Sequence, residues 1–477
     1  MQCHDVDRLS PGDPQQIAAD FRARFGEVFG RSADGVWFAP GRANINGEHI
    51  DFHSGRCLPM ALAHGTYAAA APRSDGLLRV RTLDAALDDG VHTIRLDEVA
   101  PVDSPEPAGR AAGAHSMDAA PSWTRYVAGT IWALAQLGEE SPGFALDPGF
   151  GVDLLIVSTL PIGGGLSSSA ALECATALAV IALGTPLGAQ HSGSELDAAL
   201  TDALRAEVAA ACMRAEVEVV GAGTGGLDQT VSLRGLAGDV LSLDCRDFSV
   251  DWLPVGRLLD DYVFLAVDTR QAHWLGDGQF DDRRADSEAA AQVLGVEQLR
   301  YALPEQATAA DARRVRERFD ERVGAAAMVA GRPADAVRRR LRHALSEMVR
   351  SDELAEIFAE TVPDPEVGPE DAATLIGQLM LSGHASMRDS AQVSFPAADA
   401  IVDAAVRHGA PGGRLIGGGF GGSVLLLSRR DDVTALEAAV DRACAGAGHR
   451  RPRFVEITPS AGARTVPLPA VAAHRPH

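Results

Sequence analysis

The chain has 477 residues, 46% hydrophobic and 23% charged, which suits a soluble globular enzyme of two or three domains with a large core. A net charge of −22 and a pI near 5.0 argue against nucleic acid as a main partner. All 43 basic residues are arginine. Without a lysine the chain cannot be a Walker P-loop NTPase, a protein kinase with an ATP-pairing lysine, a Schiff-base enzyme or a pyridoxal-phosphate enzyme.

The cysteines (Cys3, Cys57, Cys174, Cys212, Cys245 and Cys444) are widely spread and lack zinc spacing, so they read as free thiols of a cytosolic protein. The first residues are polar without a signal-peptide core, and no apolar run reaches the roughly 18 residues of a membrane span. A cytoplasmic location without a membrane partner is therefore expected.

In chain order, residues 14–29 read as an amphipathic helix with Ile17, Phe21 and Phe25 on one face. A strand from Val36 leads into what reads as a loop, where Arg42, Asn44, Asn46, Glu48, His49, Asp51 and His53 crowd together between glycines. That mixture suits a polyhydroxylated ligand, because carboxylates accept from sugar hydroxyls and arginine neutralises developing charge. Residues 58–96 predict strands with turns at Ser74-Asp75-Gly76 and Asp89-Gly90. Residues 101–121 predict a surface loop, and 123–137 a helix.

Residues 151–158 predict a strand and 170–184 a buried helix. Between them stand Gly163, Gly164, Gly165, Leu166, Ser167, Ser168, Ser169 and Ala170. Glycine allows close backbone approach and positive φ, and a helix start offers unpaired N–H groups to phosphate. Serine hydroxyls can donate to phosphate or ligate a hard cation such as Mg²⁺. The plainer alternative is a glycine turn with a serine N-cap; three serines after three glycines, opening an apolar helix, favour the phosphate site.

Residues 195–220 predict a helix carrying Glu216 near its end. It meets a second glycine-rich corner at 221–226, from which Asp228 leads into an expected strand at 230–233. Asp228 is either an Asx turn after a helix cap or a carboxylate presented into a cleft. Residues 262–268 predict a buried strand, followed by Asp268-Thr-Arg-Gln-Ala-His273, a loop through Phe280 and a helix over 282–294. Residues 308–350 read as Arg/Glu/Ala helices with solvated faces. Helices are also expected over 396–408 and 433–445, a strand over 454–457, and a disordered tail over 467–477. The third glycine-rich corner, 417–422, formally fits GxGxxG. A strand follows it rather than a helix, so it predicts a tight turn packed on another loop and no dinucleotide site.

Three glycine-rich segments, spread over nearly 400 residues, have a common explanation. Residues 41–51, Gly-Arg-Ala-Asn-Ile-Asn-Gly-Glu-His-Ile-Asp, resemble the galactokinase signature. Residues 161–171 resemble the ATP-binding motif of the GHMP small-molecule kinases, and 415–424 their third motif. Asp268-Thr-Arg, Arg283-Arg284 and residues 459–464 resemble the galactokinase C-terminal half. The resemblance spans residues 15–466. It implies a two-lobed α+β fold, with a ribosomal-protein-S5-like N-terminal half (1–245) and a ferredoxin-like C-terminal half (246–466). It implies ATP and Mg²⁺, and phosphorylation of the anomeric hydroxyl of galactose; separately, a monomer is expected.

By the same resemblance Arg42 would stabilise the transferring phosphoryl and Asp228 would act as catalytic base or orienting carboxylate. Glu48, His49, Asp51 and Gly225 would hold sugar hydroxyls, the 163–170 corner would hold ATP, and Ser169 with Glu216 would hold Mg²⁺. Phosphoryl transfer needs mainly alignment and charge neutralisation, which this set can supply. The chain departs from the pattern at Ile45-Asn46, at Ile50-Asp51-Phe52, at Phe280 where galactokinases often carry a sugar-contacting tyrosine, and in a longer 308–340 segment. These departures bear on the sugar and leave open a kinase for arabinose, a uronic acid or an N-acetylated hexosamine. A non-catalytic sugar sensor on the same fold is a further alternative, opposed by the intact Ser167-Ser168-Ser169-Ala170.

Overall fold

The computed structural model describes residues 6–84, 87–88, 90–104, 117, 120–271 and 278–467. Cys3, Asp89, His273, most of the expected 101–121 loop and residues 468–477 of the expected tail lie outside the described residues.

After β1 (Asp7–Arg8) comes α1 (Pro14–Phe29). Asp13 caps α1 by accepting from the N–H groups of Gln15 and Gln16, and Gly30 ends it at φ 71°. β2 (Gly35–Asn46) and β3 (Arg56–Arg73) form a long antiparallel pair. The alanine run in β3 keeps both of its faces low. Ala69 and Ala71 meet Phe21 and Phe25 of α1, while Ala68 and Ala70 face the opposite core.

Next come β4 (Leu77–Thr82), β5 (His92–Arg95), α2 (Thr124–Glu140), β6 (Gly151–Ser158), α3 (Ser168–Gly184), α4 (Pro186–Gln190), α5 (Ser194–Ala199) and α6 (Asp202–Arg214). A wider π-type turn, Ala215–Val220, extends α6, and α7 (Leu227–Arg234), β7 (Asp239–Asp244) and β8 (Ser249–Pro254) follow. α8 (Leu258–Asp261), β9 (Tyr262–Asp268), α9 (Gln279–Leu294) and α10 (Ala309–Val323) lead to a small ribbon of β10 (Met328–Val329) and β11 (Arg332–Pro333). The chain ends with α11 (Ala334–Glu356), α12 (Pro369–Ser386), α13 (Pro396–Arg407), β12 (Gly412–Ile416), β13 (Ser423–Arg429), α14 (Val433–Gly446), β14 (Arg453–Ile457) and β15 (Arg464–Thr465).

Two sheets organise these elements. The first has the order β15-β2-β3-β6-β4-β5, with β7 on β3 and β8 on β7. The second has the order β1-β14-β9-β13-β12. Helices α2, α3 and α6 cover one face of the first sheet through Ile131, Leu178, Val180 and Val208, and α13 and α14 cover the second through Ile401 and Val440. A shared core of Ile45, Met60 and Leu62 with Phe264, Leu425 and Ile457 joins the sheets, with Met380 of α12 beside it. The ends of the chain are exchanged: β1 pairs in parallel with β14, and β15 pairs with β2. The division expected at 245/246 falls between the strands of the β7–β8 hairpin.

Four local expectations are corrected. The segment carrying Arg42, Asn44 and Asn46 is not a loop but the buried second half of β2, with register shifts at Pro40/Arg42 and Asn44/Asn46. The polarity of Arg42 and Asn46 reflects buried partners, not solvent. Residues 230–233, expected as a strand, lie in α7. Their β-branched and apolar run is buried on every side, which periodicity cannot distinguish from a buried strand. The helix expected over 195–220 breaks at Leu200–Thr201, where the Thr201 side chain caps α6 by accepting from Leu204 N–H. Finally, α11 is not simply a solvated charged helix. Arg340, His343, Glu347 and Arg350 are buried. The five cysteines among the described residues are free thiols, as expected.

Candidate active site

Gly41 is the start of the site. A Cβ there would stand 2.3 Å from the Leu166 carbonyl oxygen, so only glycine lets β2 lie against the 160–167 turn. The next residue exploits this approach. Arg42 N–H donates to Leu166 O at 3.2 Å, and Arg42 Nη1 donates to Gly165 O at 2.8 Å. The rest of its guanidinium meets Asp228, with Nε to Oδ1 at 2.8 Å and Nη2 to Oδ2 at 3.1 Å. This fork-to-fork pairing fixes both planes at once. Ser167, at φ 60° on the residue before α3, donates from Oγ to Asp228 Oδ2 at 2.6 Å. Asp228 itself sits in the first turn of α7, where Gly226 at φ 79° starts the helix and the dipole favours a carboxylate.

The first and third glycine corners press together. Ser423 Oγ donates to Gly164 O at 2.6 Å, and a Cβ at Gly417 would stand 3.2 Å from Gly165 O. The tight turn expected at 417–422 is therefore present and packs on the serine loop. Together they leave Gly163, Gly165, Ser167, Ser168 and Ser169 on the wall of a cleft of about 340 Å³, beside Arg42, Asp228 and Glu216. Gly164, Leu166 and Ala170 complete the corner; Leu166 and Ala170 point into the core.

The other wall comes from the turn between β2 and β3. Glu48, His49, Asp51 and Phe52 line it with Gly225 and Phe280. A Cβ at Gly225 would stand 2.2 Å from Asp51 Oδ2, which explains the glycine. His49 Nε2 lies 3.0 Å from the Gly418 carbonyl, so that nitrogen carries the proton and Nδ1 remains an acceptor. Burial pushes the His49 pKa down to about 3, so the ring is neutral. Phe280 stands 5.2 Å from the His49 ring and 6.1 Å from Phe52, an apolar wall without a hydroxyl. The Arg284 guanidinium lies over Phe52 at 5.4 Å and also borders the cleft.

Burial raises the carboxylates here. Glu48 is pushed up to about 7 despite Arg414, Asp51 to about 6, and Glu216 to about 7, with Asp228 adding to the last. Glu216 is buried in the π-type turn after α6, a local widening of the kind frequent at functional sites. Its carboxylate meets the Ser169 hydroxyl and accepts from Gln229 Nε2 at 2.6 Å. Gln229 also donates to Glu173 at 2.9 Å, and burial raises Glu173 strongly, with Glu216 adding to it.

No group of three or more His, Cys, Asp or Glu converges on a metal among the described residues. Hard oxygens from Ser169, Glu216 and Asp228 do border the cleft, and such a set fits Mg²⁺ that completes its shell with phosphate and water.

All the expected site residues thus gather in or beside one cleft. Sequence reasoning missed Tyr126, Thr224, Gln229 and Glu173. A lone carboxylate inside the Ala/Leu/Val helix α3 was the available signal for Glu173.

Residues 23–72 match the galactokinase galactose-binding signature, 125–236 the GHMP kinases N-terminal domain, and 370–446 the GHMP kinases C-terminal domain. The galactokinase of Streptomyces coelicolor is 36% identical over 450 residues, covering 94% of this chain and 99% of that protein. The galactokinase of Mycobacterium tuberculosis H37Rv is 34% identical over 427 residues, covering 89% and 97%. The crystal structure of Lactococcus lactis galactokinase complexed with galactose matches with a TM-score of 0.71 at 24% identity, covering 93% of this chain and 98% of that one. Methanococcus jannaschii mevalonate kinase matches with a TM-score of 0.52 at 16% identity, covering 91% and 98%. The two-lobed α+β GHMP kinase architecture expected from the motifs is the one found.

Proposed function

The chain belongs to the galactokinase family of the GHMP small-molecule kinases, and from that premise we propose that it transfers the γ-phosphoryl group of ATP to the anomeric hydroxyl of galactose. The observation that carries the reading is the Arg42–Asp228 pair, set between the serine corner and the sugar-signature turn.

ATP supplies the phosphoryl group, and Mg²⁺, held by Ser169 and Glu216, supplies charge neutralisation when bound. The chain's own residues do the rest. The N–H groups of the 163–170 corner and the start of α3 receive phosphate oxygens. Asp228 accepts the proton of the attacking hydroxyl or orients it, while Arg42 faces the charge that develops on the phosphoryl oxygens. Ser167 donates to Asp228 and keeps the carboxylate turned to Arg42. Asp51, Glu48 and the neutral His49 Nδ1 accept from sugar hydroxyls, Gly225 leaves room for Asp51, and Phe280 covers one sugar face. In this division of labour residues 1–245 carry the sugar signature and serine corner, and 246–466 close the cleft from the opposite side.

The test is ATP-dependent phosphorylation across galactose, N-acetylgalactosamine, arabinose, galacturonate and glucose. Galactose is expected to give the highest kcat/KM. Turnover of none of them would defeat the reading. A second reading, an acidic sugar, is favoured by Arg284 at the cleft beside Phe280, and a lead for galacturonate in the same panel would establish it. No described helix is long and apolar enough to cross a membrane. A cytoplasmic monomer is proposed; light scattering reads its mass directly.

A further inference from the structure

Arg414 on β12 is fully buried. Its Nη2 donates to Glu48 Oε2 at 2.7 Å and to Glu347 Oε1 at 2.6 Å, and its Nη1 donates to Asn46 Oδ1. Each partner is itself held. Glu347 accepts Gly47 N–H at 3.1 Å and Arg350 Nη2 at 2.6 Å. Asn46 Nδ2 donates to Glu347 O at 3.1 Å and Ser351 Oγ at 2.8 Å. The other Glu48 oxygen accepts Gly417 N–H at 3.3 Å, and His343 Nε2 meets the Glu48 carbonyl at 3.0 Å.

Stability does not explain such a cluster, since apolar side chains of equal volume often serve as well as buried ion pairs. Its position does. Glu48 lies in a turn whose backbone is irregular, with Gly47 at φ 117° and His49 at φ 61°, so no strand ladder orients it. Orientation comes from β12, 366 residues away. Asn46, which departs from the family pattern, adds a second link from the guanidinium to α11, through Glu347 O and Ser351 Oγ, beside the direct Arg414–Glu347 contact.

We propose that Arg414 is a positioning residue for sugar recognition: clamped by Asn46 and Glu347, it fixes the Glu48 carboxylate at the angle a sugar hydroxyl requires. The inference rests on the reading of Glu48 as a sugar ligand. Gly383 on α12 belongs to the same device, because a Cβ there would stand 2.6 Å from Arg414 Nη1.

Three variants of the full chain test it. Arg414→Lys keeps the charge but loses the fork. Gly383→Ala displaces the guanidinium without removing any charge. The pair Arg414→Met with Glu347→Gln removes one charge of each sign. Each is expected to raise the galactose KM about tenfold or more, with kcat within about threefold and the ATP KM within about twofold. Galactose affinity by calorimetry should weaken in step. A purely structural role would lower the unfolding midpoint and the active fraction while leaving the galactose KM unchanged, and that result in the folded variants overturns the proposal. Gly383→Ala, which preserves every ionic partner, carries the test if the others fail to fold. Absence of galactose turnover by the unmutated chain would instead defeat the proposed function, and this inference with it.

Discussion

Arg42 and Asp228, 186 positions apart, face each other through two hydrogen bonds of 2.8 and 3.1 Å in the lining of the cleft. Removing the carboxylate leaves the Arg42 guanidinium without its partner and, in the proposed function, the attacking hydroxyl without an acceptor. Asp228→Ala is expected to cut kcat by about a thousandfold while ATP affinity, read by calorimetry, stays nearly intact. Retention of more than about 5% of activity would remove Asp228 from the chemistry.

The contact between Gly225 and Asp51 predicts a second loss. In Gly225→Ala the new methyl group meets Asp51 Oδ2 and must push it off the sugar side of the cleft. The galactose KM should rise about tenfold with the ATP KM unchanged. Gly223→Ala is the matched control, since its Cβ would stand 3.4 Å from the flexible end of Arg284. Equal kinetics for the two variants would refute the assignment of Asp51.

In the proposed function Phe280 sets how sharply the sugar is read. An apolar ring excludes water but rejects few analogues, whereas a hydroxyl demands a partner. Phe280→Tyr should therefore increase the kcat/KM ratio of galactose over arabinose, by about tenfold. Unchanged ratios across the sugar panel would mean that the ring only packs against His49 and Phe52.

The raised carboxylates fix the sign of the pH dependence. Glu48 and Glu216 near 7 and Asp51 near 6 hold protons that an unfolded chain has already released. Stability therefore falls as pH climbs from the ordinary carboxylate range through about 7, while kcat/KM rises over the upper part of that window as the ligands ionise. Glu347 runs the other way: Arg414 and Arg350 outweigh its burial and hold it well below the usual range.

Glu173 allows a clean check, because burial and Glu216 both penalise its charge. Glu173→Gln should raise the unfolding midpoint at pH 8, and the gain should vanish near pH 4, where the carboxyl is protonated in both states. An equal gain at both values would show that repacking, not charge, is responsible.

Much of the site was legible because its chemistry forces rare residue patterns. Glycines that permit approach within hydrogen-bond distance cannot be disguised, and serines at a helix start or a carboxylate after a glycine run stand out for the same reason. The α7 segment was misread because a short apolar run carries no period of its own. The α11 network was hidden by a different ambiguity. Arginine and glutamate at helical spacing describe a solvated face and a buried clamp equally well, and only the arrival of Arg414 from 67 positions away distinguishes them. Asn46 stood out as a departure, yet its reason lay 368 residues downstream.

The exchange of chain ends between the sheets has a consequence for how the protein is made. As the chain leaves the ribosome, the outer edge of β2 waits for β15, which lies more than 400 residues downstream. β1 waits in the same way for β14. Neither of these edges can close until β14 and β15 have been made, so folding must be slow relative to local hairpin formation and exposes strand edges in the interval. The finished molecule inverts that weakness. A single proteolytic cut between the sheets would leave each fragment stitched into the other's sheet, and a truncation at either end would be felt in the half that lies farther away along the chain.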